Sequence, residues 1–211
     1  MFTNAAIIAQ LTAGKPIALI TDAGTPLVSD PGSRLVAAAT LNDIPVVAIP
    51  GASALLAALV VSGIPADQFT FIGFLPRKGR DRQRAIEVIV RSTVATVIYE
   101  APGRVADTLH DIAGAGAGDR AASVSRELTK KFEETRRGTV SSLAVHYETA
   151  DAKGEFVIVI AGAEDRESSD EELREAVAEM KRDGTSSREI TDRLMSQFGI
   201  ARNRAYKLAH E

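Results

Sequence analysis

The fold class of this chain is decided by the stretch Ile17-Ala-Leu-Ile-Thr-Asp-Ala-Gly-Thr-Pro-Leu-Val-Ser-Asp-Pro-Gly32, in which an apolar run leads directly into a loop of small residues. Residues 17–21 predict a buried parallel strand, and Ser33 begins a helical pattern. Ligands of open parallel sheets bind beyond the carboxyl ends of the strands, which places residues 22–29 at a ligand-binding edge. An ordinary turn between a strand and a helix explains the same spacing, so spacing alone leaves both interpretations open.

The composition is that of an ordinary globular protein. Its 211 residues, of which 45% are hydrophobic, are enough for a sizeable core and more than one domain. No run approaches the roughly 18 apolar residues of a membrane helix, and the N-terminus lacks a signal-peptide pattern. We therefore expect a cytoplasmic protein without membrane association. Cysteine is absent and the three histidines are scattered, so we predict no metal site.

Alternating strand-like and helix-like segments predict two α/β lobes, residues 1–65 and 66–162, with a boundary near Pro65. A charged linker over residues 163–170 leads to a helical domain over residues 171–211. Strands are predicted at residues 17–21, 46–49, 69–72, 95–99, 121–125 and 155–160, and helices at residues 4–11, 33–41, 53–61, 81–91, 104–113, 141–147, 171–182 and 201–209.

The end of the chain predicts a helix-turn-helix. Thr185-Ser-Ser-Arg-Glu189 offers a capping box for one helix, which Gly199 ends, and residues 201–209 form the next helix. The basic residues of this last helix are Arg202, Arg204 and Lys207. They suit a nucleic-acid contact, although a helical hairpin that only packs or dimerises fits the pattern equally well.

A basic segment follows the first strand of the second lobe. Its cations are Arg77, Lys78, Arg80, Arg82, Arg84 and Arg91, and its acids are only Asp81 and Glu87. The net charge of -3 argues against indiscriminate nucleic-acid binding, but such a local patch can hold phosphates. A solvated helix face is the alternative explanation.

Six sequence blocks occur in an order that resembles a known family. They are Asp22-Ala-Gly-Thr-Pro-Leu-Val-Ser-Asp-Pro-Gly32, Ile49-Pro-Gly-Ala-Ser-Ala54, Gly73-Phe-Leu-Pro76, Tyr99-Glu100 with Arg104, Arg126-Glu-Leu-Thr-Lys130 and Gly154-Glu155. Together they resemble the tetrapyrrole (corrin/porphyrin) methylase family. More narrowly, they resemble its branch of small-subunit (16S) rRNA cytidine 2'-O-ribose methyltransferases.

The resemblance implies an α/β, two-lobed tetrapyrrole-methylase-like fold with a small C-terminal helical domain. It also implies S-adenosyl-L-methionine as the cofactor, bound between the lobes. The residues that it assigns to the cofactor are Asp22, Gly24, Thr25, Pro26, Val28, Ala52, Ser53, Ala54 and Tyr99. Thr25 stands where many relatives have aspartate, and close packing of a helix on a strand is an alternative reason for the small residues 51–54.

The implied reaction is methyl transfer to a ribose 2'-hydroxyl, which requires alignment and removal of a proton. The candidate catalytic residues are Lys130, Glu127 and Glu100. Lys130 could act as a general base if neighbouring cations or burial lowered its pKa, with a glutamate orienting it or accepting the proton instead. The alternatives are surface ion pairs within residues 126–133 and a structural pair between Glu100 and Arg104.

The resemblance further implies a homodimer that acts on small-subunit rRNA or a ribosomal particle. The expected RNA contacts are Lys78, Arg80 and Arg82 in the second lobe, and Arg202, Arg204 and Lys207 in the C-terminal domain. The blocks begin after the opening strand, cofactor loop and acidic block of the family, so we expect a truncated first lobe. The competing functions are tetrapyrrole methylation and RNA binding by an inactive remnant.

Overall fold

The computed structural model describes residues 4–22, 24–150, 153–163 and 170–211. The chain forms two compact units, Met1–Ala163 and Glu164–Glu211. Most of the predicted linker lies outside the described residues. The predicted lobe boundary near Pro65 falls within the first unit, where it remains a prediction.

The first unit begins with three helices, and its strands and remaining helices follow. The helices are α1 (Asn4–Thr12), α2 (Ser33–Leu41), α3 (Ala54–Ser62), α4 (Arg80–Arg91), α5 (Val105–Ile112) and α6 (Val140–Thr149). The strands are β1 (Phe69–Phe74), β2 (Ala95–Glu100), β3 (Ala121–Arg126), β4 (Glu134–Thr139) and β5 (Phe156–Ile160). The second unit contains α7 (Asp170–Arg182), α8 (Ser187–Phe198) and α9 (Arg202–His210). The helices and strands predicted from residue 69 onward are confirmed, with small differences at their ends.

The strands form one mixed sheet in the order β1-β2-β5-β3-β4. β1 and β2 are parallel, β5 runs antiparallel between β2 and β3, and β4 is antiparallel to β3. β2 (ATVIYE) and β5 (FVIVI) are almost continuously apolar, as expected for central strands that are buried on both faces. The charged β4 (ETRRGT) suits an edge position, because charge discourages pairing with other chains.

Helices cover both faces of this sheet. On one face, α4, α5 and α6 bury a core that includes Ile98, Leu109 and Ile158. On the other face, α3 packs against Val97 and Val157. Because successive strand residues point to opposite faces, β2 and β5 each contribute to both cores.

The strands predicted at residues 17–21 and 46–49 are wrong for this structure. Neither segment forms a strand with any described residue, and the side chains of Ile20, Val47 and Ile49 are 84%, 78% and 79% exposed. A strand depends on a hydrogen-bonded neighbour, which a local sequence pattern does not supply. The adjacent predicted helices α1, α2 and α3 are confirmed, because a helix makes its hydrogen bonds within itself.

The second unit is helical, as predicted, and it has its own core. Ser186 caps α8 by accepting a hydrogen bond from the backbone N–H of Glu189, and Gly199, with φ 64°, ends it. The buried core residues are Leu173, Val177, Ile190, Leu194, Ala205, Leu208 and Ala209. In the part of the chain that the structure describes, no helix has the length and apolarity needed to cross a bilayer.

Candidate cofactor and catalytic site

The loop after residue 21 lies against the beginning of α3. The Thr25 hydroxyl donates a hydrogen bond to the backbone oxygen of Ala52 at 3.1 Å. A Cβ added to Gly24 would lie 3.4 Å from the same oxygen, so the two backbones approach closely. Ser53 caps α3 by accepting a hydrogen bond from the backbone N–H of Leu56. The structure thus brings together two segments that the sequence assigns to the cofactor.

The far end of this loop reaches the sheet. A Cβ added to Gly73 in β1 would lie 3.1 Å from the Ser29 hydroxyl. Burial raises the pKa of the Tyr99 hydroxyl, a backbone hydrogen bond with Leu55 lowers it by less, and the nearby Asp30 charge raises it further. Tyr99, at the end of β2, therefore lies beside both the loop and α3.

The backbone of the loop is strained. Leu27 and Ser29 have φ angles of 76° and 60°, which side-chain-bearing residues rarely adopt. Such residues persist only where the surroundings hold them, and they cluster at ligand-binding sites. Asp22 and Val28 are exposed and Pro26 is half-buried, so this part of the loop presents polar and apolar groups to a ligand.

Glu100 is buried, with a relative exposure of 1%. One carboxylate oxygen accepts a hydrogen bond from the backbone N–H of Ala101 at 2.8 Å, and the other accepts one from the Thr108 hydroxyl at 2.7 Å. The Arg104 guanidinium lies 3.4 Å from the first oxygen. These contacts occupy both oxygens, so the geometry favours the structural ion pair over a role in proton transfer.

Lys130 lies between two carboxylates. Its ammonium group is 3.0 Å from Glu127 Oε1 and 3.0 Å from Glu155 Oε2. The hydrogen bonds to Glu127 and Glu155 raise the pKa of Lys130. The expected lowering of the Lys130 pKa is therefore wrong, because its neighbours are anions rather than cations. A protonated Lys130 can stabilise negative charge but cannot accept a proton.

The Glu127 carboxylate accepts hydrogen bonds from Lys130 and from the backbone N–H of Glu155. The hydrogen bond from Lys130 and, next in size, one from the backbone N–H of Glu155 lower the pKa of Glu127. Glu155 belongs to the last of the six sequence blocks, but the sequence alone gives it no role. Its position beside Lys130 arises from the pairing of β5 with β3, which the local sequence does not reveal.

The basic segment divides into exposed and buried cations. Lys78 and Arg80 are exposed. Arg82 is 9% exposed, and its guanidinium donates hydrogen bonds to Asp111 Oδ2 at 2.8 Å and to the Thr108 hydroxyl at 3.1 Å. Arg82 is thus enclosed within the first unit and is not placed to contact RNA phosphate, contrary to the prediction.

The cations predicted in the C-terminal domain also differ from one another. Arg202 and Lys207 are exposed on α9. Arg204 lies 2.6 Å from Asp170, an ion pair that joins α9 to the beginning of α7.

No group of side chains suited to a metal ion occurs among residues 4–22, 24–150, 153–163 and 170–211.

Two solved structures whose fold is similar carry the names of methyltransferases. The methyltransferase CobJ has a TM-score of 0.56 at 16% identity, with 76% of this chain and 70% of that chain covered. A uroporphyrin-III C-methyltransferase from Thermus thermophilus, complexed with S-adenyl homocysteine, has a TM-score of 0.50 at 17% identity, with 74% and 70% covered. These likenesses show that the chain shares the fold of those proteins.

Sequence relatives narrow the class. The tetrapyrrole (corrin/porphyrin) methylase profile matches residues 2–144. A protein of Synechocystis sp. named ribosomal RNA small subunit methyltransferase I is 41% identical over 208 residues, 97% of this chain and 75% of its own length. A protein of the same name from Mesorhizobium japonicum is 50% identical over 159 residues, 75% of this chain and 54% of its own length. The chain belongs to the tetrapyrrole methylase family, whose members are methyltransferases that use S-adenosyl-L-methionine.

The close approach of Gly24 to Ala52 makes the cofactor assignment testable. We expect Gly24→Val to weaken binding of S-adenosyl homocysteine at least about tenfold, or 1.4 kcal/mol, because the new side chain would enter the space along the Ala52 carbonyl. Isothermal titration calorimetry measures this. Gly14→Val is a matched control, since Gly14 has a similar φ of 80° against 74° for Gly24 and has no atom within 4 Å of its added Cβ. Equally weakened binding in the two variants would refute the assignment.

The lowered pKa of Glu127 predicts a pH-dependent contribution to stability. Because the folded pKa is below the ordinary value, the Glu127 charge stabilises the fold above about pH 4.5, and the contribution is lost as pH falls through the folded pKa. The difference in free energy of unfolding between wild type and Glu127→Gln, measured by urea denaturation, should therefore shrink in acid. In a Lys130→Met background the same difference should already be small at neutral pH. The prediction is contradicted if the difference in free energy of unfolding stays the same at all pH values and in the Lys130→Met background.

Proposed function

We propose that the protein methylates small-subunit rRNA with S-adenosyl-L-methionine, at the ribose 2'-oxygen of a cytidine. The relatives named ribosomal RNA small subunit methyltransferase I support the RNA substrate, at 36% to 50% identity. The observation that carries the proposal is the contact between Thr25 and Ala52, because it joins two family motifs into one site. The matched regions cover from 54% to 75% of the first relatives' own length.

The residues of the first unit fit the cofactor. Gly24 and Thr25 offer backbone close to the beginning of α3, and Tyr99 adds an aromatic ring with a hydroxyl group. When bound, S-adenosyl-L-methionine supplies a methyl group whose bond to sulfur breaks with the electron pair left on sulfur. The N-terminus of α3, which Ser53 caps, carries the positive end of the helix dipole and suits polar or anionic groups of such a ligand.

The accepting ribose hydroxyl must release its proton as the methyl group arrives. We assign Lys130 to stabilising the negative charge on that oxygen, since the raised pKa keeps its side chain protonated. Glu127 and Glu155 hold the ammonium group in place, and the proton leaves to water, because Lys130 is exposed. Glu100 supports the end of β2 rather than the reaction.

The exposed cations suit contacts to RNA phosphates. Lys78 and Arg80, with their neighbour Arg77, lie at the surface between β1 and α4. Arg202 and Lys207 offer a further contact on the C-terminal domain, while Arg204 is engaged by Asp170. Assembly as a homodimer and a cytoplasmic location remain predictions from the sequence.

Methyl-transfer assays test the function. Using labelled S-adenosyl-L-methionine, we expect label to enter the small ribosomal subunit at a cytidine 2'-oxygen and not to enter free uroporphyrinogen. Lys130→Met should lower the rate of methyl transfer by about 10²–10³-fold with cofactor affinity kept, and Lys130→Arg should recover part of the rate because it restores the charge. Label in the tetrapyrrole alone would support the competing enzyme, and cofactor binding without transfer to either would indicate an inactive remnant.

The basic segment predicts salt-dependent RNA binding. Lys78→Ala combined with Arg80→Ala should weaken RNA binding and reduce the slope of log affinity against log salt by roughly 0.7–0.9 for each phosphate that is no longer neutralised. Fluorescence anisotropy over a series of salt concentrations measures both quantities. Arg91→Ala, at the opposite end of α4, is the control and should leave the slope nearly unchanged. An unaltered slope in the double variant would mean that Lys78 and Arg80 only solvate the helix.

A further inference from the structure

An aromatic side chain projects from the connection between β3 and β4. Phe132 is 66% exposed, although burying a phenyl ring is strongly favourable. It belongs to the segment Glu127–Glu133, which we call the 127–133 loop. An exposed aromatic ring on a nucleic-acid enzyme offers a flat surface on which an unpaired base can stack.

The loop that carries Phe132 is well braced. Backbone hydrogen bonds run from Lys130 N–H to Glu127 oxygen at 2.9 Å and from Glu133 N–H to Lys130 oxygen at 3.2 Å. The Glu133 carboxylate accepts a further bond from Thr129 N–H at 2.6 Å. Glu127 and Thr129 have φ angles of 50° and 66°, so the surroundings hold the backbone in conformations that these residues rarely adopt. Such bracing lowers the entropy that ordering the loop would cost on binding.

A cation lies beside the Phe132 ring. The acidic neighbours are engaged: Glu127 and Glu155 by Lys130, Glu133 by a backbone N–H, and Glu134 by Arg126 and Arg136. The Lys131 ammonium group lies 5.6 Å from the centroid of the Phe132 ring. An apolar ring beside a lysine matches a nucleotide, which has an aromatic base next to a phosphate.

The loop is also next to the candidate site. Leu128 packs in the apolar cluster that contains Leu55 of α3 and Tyr99 of β2, both beside the candidate cofactor loop. Lys130, which we assign to the reacting oxygen, lies two residues before Phe132. A base that contacts Phe132 would therefore belong to a nucleotide at or close to the one that is methylated.

We propose that Phe132 stacks on an unpaired base of the RNA substrate and, with Lys131, positions the target nucleotide at Lys130. This inference rests on the proposed RNA function. It assigns a binding role to a residue that lies outside the six sequence blocks of the family. It also supplies a means of holding an unpaired base in a fixed position, as proteins that recognise single-stranded RNA do by stacking.

Tryptophan fluorescence provides a direct test, because the chain contains no tryptophan. Phe132→Trp introduces one reporter, whose emission should be strongly quenched when a short single-stranded RNA stacks on it. An abasic oligonucleotide of equal length keeps the phosphates and should quench little. Val145→Trp, at a position that is 61% exposed on α6, is the control and should not respond to either RNA.

Substitutions of Phe132 measure how much the ring contributes to RNA affinity. Phe132→Ala and Phe132→Leu should weaken RNA binding by about 5- to 160-fold, whereas Phe132→Tyr should bind nearly as wild type does. Binding of S-adenosyl homocysteine should be equal in all of them. RNA binding with an unquenched reporter and unchanged affinity in Phe132→Ala would overturn the stacking role while leaving the proposed function intact. If wild type binds no RNA, the proposed function fails as well, and emission that depends on protein concentration would instead assign Phe132 to a contact between chains.

Discussion

The insertion of β5 between β2 and β3 is the pairing on which the rest of the first unit depends. All five residues of β5 are buried, and its two faces contribute to the cores on both sides of the sheet. In its register, Phe156 lies opposite Glu100 of β2 and opposite Arg126 of β3. The ends of three strands therefore meet at one edge of the sheet. Glu127 and Glu155 continue this row through a backbone hydrogen bond of 3.0 Å, which places Lys130 between their carboxylates.

The buried Glu100 carboxylate links the end of β2 to the end of β1. Burying Glu100 costs free energy unless its oxygens are paired, and here Ala101, Thr108 and Arg104 satisfy them. Arg104 also donates to the backbone oxygens of Leu75 and Pro76. The network thus fixes the point at which the chain leaves β1, immediately before the exposed basic segment. Glu100, a catalytic candidate in the sequence, is thus linked through Arg104 to the backbone at the end of β1.

The sequence predicts most helices and strands of residues 69–160, because their apolar residues recur at helical or strand spacing. The sequence also indicates that Arg82 is buried. Arg82, Ile86 and Ile89 recur at the spacing of one helix face, and all three are buried in α4. The residues 17–21 could not be assigned in this way, since strand formation depends on a distant partner. The same limit applies to part of the Lys130 site. The pKa of Lys130 is raised first by Glu127, three positions away, and then by Glu155, which is 25 positions along the chain.

Most of the residues with strained backbone lie in two loops that the sheet and α3 hold in place. Apart from Asp43 after α2, the described non-glycine residues with positive φ are Leu27 and Ser29 in the candidate cofactor loop and Glu127 and Thr129 in the 127–133 loop. Each loop is attached to the sheet or to α3, by Thr25 in the first case and by Leu128 in the second. Strained loops persist only when a stable framework holds them, and the buried strands provide that framework. A fixed loop presents its groups to a ligand at a small entropic cost. The buried strands β2 and β5 therefore help to fix the positions of the side chains at the candidate site.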